Sequence, residues 1–167
     1  MSIAADLVSD LEAEAALTRT LLARVPEPEL AWKPHEKSMS LAQLASHVAE
    51  TPAWTGAMLE PAMDFAAMGD YRPFVARTQA ELLQAFEQNH AASVAALRGR
   101  DDRFLEESWT MRNGATVLMT QPRKDALRQI LVHHAVHHRG QLTVYLRLLG
   151  VPLPPLYGPT ADHPSFG

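Results

Sequence analysis

The feature that most constrains this chain is its last long apolar-periodic segment, about Pro122 to Leu149. Four histidines in six residues are set inside it, in the run V-H-H-A-V-H-H-R-G-Q. Thr120 and Pro122 mark its start, and Gly150 and Pro152 its end. Apolar residues every three or four positions over that length specify a helix rather than a strand. His133 with His137 and His134 with His138 are both i, i+4 pairs, each able to bring two imidazoles to one ion. A straight-helix count of about 100° per residue separates the two pairs. With His134 at zero, Leu127, Ile130, Leu131, Leu142, Tyr145 and Leu148 fall between about −40° and +80°. His138 falls near about +40° and Gln141 near about −20°, within the stripe. His133 and His137, at about −100° and about −60°, flank it.

Burying two imidazoles costs free energy in desolvation unless they are hydrogen-bonded or bound. The alternative is a solvated histidine-rich face, or core histidines satisfied by hydroxyls. An in-register pair inside an apolar stripe favours a metal. A third ligand is expected from His47, whose helical neighbours Leu44, Thr51 and Met58 share its inward face. His90 is the competitor, read as a polar-face residue near Asn89. His35 and His163 fall in loops. Gln141 either orients a metal-bound water or hydrogen-bonds within the core. Arg139 is expected to point away from the stripe, and Gly140 to permit close helix packing. Trp32, Trp54 and Tyr145 are read chiefly as core, with a role in lining the site as the alternative.

The rest of the chain reads as helices too. Apolar spacing predicts a first helix from about Ala4 to Arg24, ended by Pro26 and Pro28. A proline-containing link with Trp32 follows. Ser40 with Gln43 forms a capping-box pattern, so a second helix begins at Leu41. Pro52 either kinks it or opens a new turn capped by Thr51, and the pattern runs to about Ala62. Residues 64–73 read as a loop. Thr78 with Glu81 gives a second capping box for a helix from about Gln79 to Leu97, stopped by Gly99. Asn113-Gly114 inside SWTMRNGATVLM predicts a small β-hairpin before the last helix. The architecture expected is all-α, a four-helix bundle over one domain, 1–167.

Composition removes several functions. The 167 residues are 47% apolar, enough for a core, and the net charge is −4. An acidic balance argues against nucleic acid as a partner. There is no cysteine, so neither a disulfide nor a protein thiolate is available. The N-terminal MSIAADLVSDLEAEAA does not read as a signal peptide, and no stretch has the roughly 18 apolar residues of a membrane span. A cytoplasmic protein with no membrane partner and a small-molecule substrate is expected.

The combined pattern resembles a known family. It comprises Trp32 in its proline-flanked link, S-L-A-Q-L-A-S-H ending at His47, and H-A-V-H-H-R-G-Q beginning at His134. L-R-L-L-G-V-P-L-P and Tyr157-Gly158 complete it. It is similar to the DinB/YfiT-like metal-dependent four-helix bundles over nearly its whole length. The resemblance implies that His47, His134 and His138 hold a divalent ion, Ni²⁺ or Zn²⁺. It also implies kinship with enzymes that use low-molecular-weight thiols such as bacillithiol or mycothiol. Three imidazoles would leave an ion open positions, as in catalytic rather than closed structural sites. Three readings stay open: a thiol-dependent transferase, a metal-dependent hydrolase, and a non-catalytic metal-binding bundle. Apolar residues on more than one side of the first helix and of 58–68, including Leu17, Met63 and Phe65, together with the family's habit, lead to the expectation of a homodimer.

Overall fold

The computed structural model describes residues 2–165. Four helical columns make the bundle. They are α1 (Ile3–Leu22), α2 (Leu41–Glu50) continued through a 3₁₀ turn at Thr51–Trp54 into α3 (Thr55–Leu59), α4 (Gln79–Leu97), and one long final column. That last column is α6 (Arg123–Leu127), a π-helical turn Arg128–His133, and α7 (His134–Leu148) without a break. A short α5 (Asp102–Glu106) precedes the sheet. The columns α1 and α2 both pack against α4 and against the last column. Successive columns α1 and α2 therefore stand diagonally across the bundle.

The helix starts follow their predicted chemistry. The Ser40 hydroxyl accepts from the Gln43 N–H at 3.2 Å, and the Gln43 side chain accepts from the Ser40 N–H at 2.8 Å. The link before α2 satisfies two further free donors, with Leu41 N–H bonding to Trp32 O and Ala42 N–H to Leu30 O. At α4 Thr78 accepts from the Glu81 N–H as expected, but Glu81 reaches one residue further back, to the Arg77 N–H. Pro52 opens a new 3₁₀ turn rather than kinking α2.

The small β element differs from the hairpin expected. The strands β2 (Ser108–Asn113) and β3 (Thr116–Pro122) are antiparallel, with an irregularity between Met111 and Arg112. The turn between them is Gly114-Ala115, one residue later than predicted. The positive φ of 59° sits at Gly114, where glycine carries no steric penalty. A third strand, β1 (Ala62–Asp64), pairs parallel to β2 from a segment read as helix end and loop. Asp64 anchors it: Oδ1 accepts from the Ala66 and Gly114 N–H groups, and Oδ2 pairs with Arg112 at 3.0 Å.

Two apolar clusters fill the bundle. One, beside the sheet, holds Leu7, Leu11, Met58, Leu97, Trp109, Leu127, Ile130, Leu131 and Val132. The other holds Leu21, Leu22, Leu41, Leu44, Leu82, Phe86, Leu142 and Leu146, with Leu153 of the tail against it. The last column leaves the first cluster at Val132 and enters the second at Leu142. The intervening residues carry every candidate ligand of that column.

The π turn corrects the straight-helix count. It holds about one residue more than an α turn, so everything C-terminal to it is rotated by roughly 100°. Leu148 is consequently 62% exposed and Gln141 lies at the surface, whereas Arg139, expected at the surface, is buried. His134 and His138 stand at the edge of the buried stripe rather than at its centre. Gly140 is exposed, and a Cβ there would meet nothing, so close helix packing is not its role.

Candidate metal centre

His47, on the last turn of α2, meets His134 and His138 across the interface between α2 and the last column. One ring nitrogen from each lies within 4.8 Å of the others, and the three could hold a metal ion. The Nε2 atoms of His47 and His134 are 2.9 Å apart. Two nitrogens on a common ion at about 2.0–2.1 Å lie on the order of 3 Å from each other, so the donor set fits a small divalent cation. His133 and His137 point to solvent. His90 stacks on Phe86 with ring centroids 5.9 Å apart and lies outside the cluster. His35 accepts from the Lys37 N–H, and His163 pairs with Thr160 in the tail.

The electrostatics favour neutral rings. Burial pulls His134 down to about 4, with the neighbouring histidines adding to the shift. Burial likewise lowers His47, with His138 contributing. His138 is lowered by burial, against an upward pull from its hydrogen bond to Gln141. Neutral imidazole is the ligating form. Gln141 Oε1 lies 2.7 Å from His138 Nδ1. An amide oxygen only accepts, so Nδ1 carries the proton and Nε2 keeps its lone pair for a cation.

Trp54 forms one wall. Its ring centroid is 5.4 Å from that of His47 and 5.6 Å from that of His134. Tyr145 stands with Trp32, edge to face at 5.7 Å, and borders a cleft that reaches His138. That cleft, about 430 Å³, is also lined by Lys37, Ser38, Met39, Gln141 and Val144. A second cleft of about 280 Å³ reaches His47 between Met39, Gln43, Pro73, Phe74 and Val75. Met39 borders both, and among the described residues no carboxylate lines either.

Sequence reasoning misplaced Arg139 and missed two groups near the site. Arg139 is 1% exposed and pairs with Glu14, the Glu14 carbonyl, the Thr18 hydroxyl and the Tyr157 hydroxyl. Glu50, one turn beyond His47, takes a hydrogen bond from Tyr71, while its Oε2 is buried without a partner. The i, i+3 spacing from His47 was the available signal for it. Burial and the Glu50 hydrogen bond raise Tyr71 to about 12. The loop residues Lys37 to Met39 carried no pattern that placed them beside the histidines.

Comparison with known proteins agrees with this architecture. The DinB family model matches residues 1–165. The uncharacterized protein YrdA of Bacillus subtilis (strain 168) is 25% identical over 152 residues, covering 91% of this chain and 86% of YrdA. A DinB-like protein from Bacillus cereus ATCC 10987 superposes with a TM-score of 0.71 at 18% identity, covering 90% of this chain and 95% of that one. The DinB-like YjoA of B. subtilis gives 0.68 at 21% identity, with 92% and 98% covered. B. subtilis YfiT, described as a probable metal-dependent hydrolase with an unusual four-helix bundle topology, gives 0.66 at 16% identity, with 88% and 87% covered. Among the described residues no helix is long and apolar enough to cross a membrane. With a whole-length family match and the same bundle in its structural neighbours, the chain belongs to the DinB family.

Proposed function

We propose that this chain is a divalent-metal enzyme, with Ni²⁺ or Zn²⁺ held by His47, His134 and His138, that transfers a low-molecular-weight thiol to an electrophile. The supporting observation is that His138 and His47 of the three-ring cluster each border a cleft in which no described residue supplies a carboxylate. A hydrolase needs a base within reach of its water. A thiol needs only help in losing its proton, and this protein has no cysteine of its own to supply one. An ion in the site would favour the thiolate through its positive charge.

The residues then have simple tasks. Gln141 fixes the tautomer of His138, Trp54 excludes water from the back of the site, and the clefts orient two reactants. The sulfur attacks the electrophilic carbon and a C–S bond forms. The leaving group departs with its bonding electron pair, and the thiol proton passes to solvent. The test is turnover of an alkyl halide by metal-loaded protein with and without added thiol. Turnover that requires both thiol and metal supports the reading, and thiol-independent turnover contradicts it.

Two observations favour a hydrolase as the second reading. Glu50 has an unpartnered buried oxygen one turn from His47, and the similar YfiT is described as a probable metal-dependent hydrolase. Ester hydrolysis without thiol, abolished in Glu50→Gln, would select it.

A further inference from the structure

The two clefts differ in chemistry. The one at His138 has mostly apolar walls, with one amide, Gln141, two hydroxyls, Ser38 and Tyr145, and one full positive charge, Lys37. Among the described residues Lys37 makes no ion pair, and it is exposed. Among the described residues the cleft at His47 has no charged side chain; the Gln43 amide, Met39, Pro73, Phe74 and Val75 line it with the neutral His47 ring. Volumes of about 430 and 280 Å³ suit one small molecule apiece. Met39 stands between them.

We infer that the two clefts are separate subsites, and that the His138 cleft takes a thiol bearing a carboxylate, its sulfur toward the histidines and its anionic end toward Lys37, while the apolar His47 cleft takes the electrophile. This rests on the thiol-transfer reading above. Lys37 and His138 line the same cleft, so a ligand with an anion at one end and a sulfur at the other can meet two cations there once a metal is bound. Its carbon chain lies against Met39, Val144 and Tyr145. A neutral thiol of the same length has nothing to gain from Lys37. An acidic electrophile gains nothing from the second cleft.

The test measures binding, not turnover. Metal-loaded protein of verified metal content is titrated calorimetrically with mercaptohexanoate and with its neutral counterpart mercaptohexanol. The wild type binds the acid more tightly, and Lys37→Ala weakens the acid by about three- to tenfold while leaving the alcohol unchanged. Val144→Trp, which fills the His138 cleft, weakens mercaptohexanoate, whereas Val75→Trp, which fills the other, does not. Equal affinity for acid and alcohol, or equal effects of the two tryptophan substitutions, overturns the subsite assignment and leaves thiol transfer standing. Failure of either thiol to bind the loaded protein overturns thiol transfer itself, and the subsites with it.

Discussion

Gln141 accepts a hydrogen bond from Nδ1 of His138, 2.7 Å away and three residues earlier on the same helix. The contact puts the His138 proton on Nδ1 and leaves Nε2 with a free lone pair. Partners of this kind usually contribute 10–100-fold to metal affinity, so Gln141→Leu should weaken metal binding by about that factor. Gln141→Glu still accepts and should retain affinity. Competition with a chelator of known affinity measures both. Wild-type affinity in Gln141→Leu would remove Gln141 from the site.

Acid should destabilise the metal-stripped protein in a defined window. His134 titrates at about 4 in the folded chain and near its ordinary 6.5 when unfolded. Between these values the unfolded chain binds more protons, so stability is full above 6.5 and falls as pH drops toward 4. The lowered His47 and His138 act in the same direction. Urea unfolding of chelator-treated protein from pH 7.5 to 4 reads this, and His134→Gln should flatten the slope. A slope unchanged by that substitution would place the titrating groups elsewhere.

Arg139 is 1% exposed and is held by Glu14, whose side chain is 21% exposed, and by the hydroxyl of the exposed Tyr157, so removing it leaves the Glu14 carboxylate without its cation. Arg139→Ala should cost about 1.5–3 kcal/mol, and Tyr157→Phe about 1 kcal/mol. Denaturant midpoints at constant m-value would show it. A cost below that of Tyr157→Phe would mean that Glu14 finds water when Arg139 is gone.

How much of this was legible depended on whether a signal was local. Ser40 and Gln43 announce a helix start because the capping box is four residues long, and the structure contains it. His47, His134 and His138 were nameable from spacing and family resemblance, and the structure brings them together. The π turn at Arg128–His133 had no such signature, and it displaced Arg139, Gln141 and Leu148 from their predicted faces. Strand β1 is three residues long and exists only through its long-range pairing with β2, which no local pattern encodes. The Lys37 loop and Glu50 acquire meaning only from what packs beside them.

A homodimer is still our expectation for the assembly. Of the residues that suggested it, Met63 is buried in the core, Leu17 is half-buried and Phe65 remains exposed at 42%. Val117 and Leu118 on β3 add further exposed apolar surface. Light scattering at micromolar concentration should give twice the chain mass of 18.4 kDa. The single-chain mass, unchanged on concentration, would contradict the expectation.

The central claim is that one ion is held by three particular imidazoles. Elemental analysis of purified, metal-reloaded protein tests it most directly. The account predicts about one Ni²⁺ or Zn²⁺ per chain in the wild type and in His133→Ala. It predicts near-complete loss in His47→Ala, His134→Ala and His138→Ala. Equal loss from His133→Ala, or full retention in His134→Ala, would contradict it.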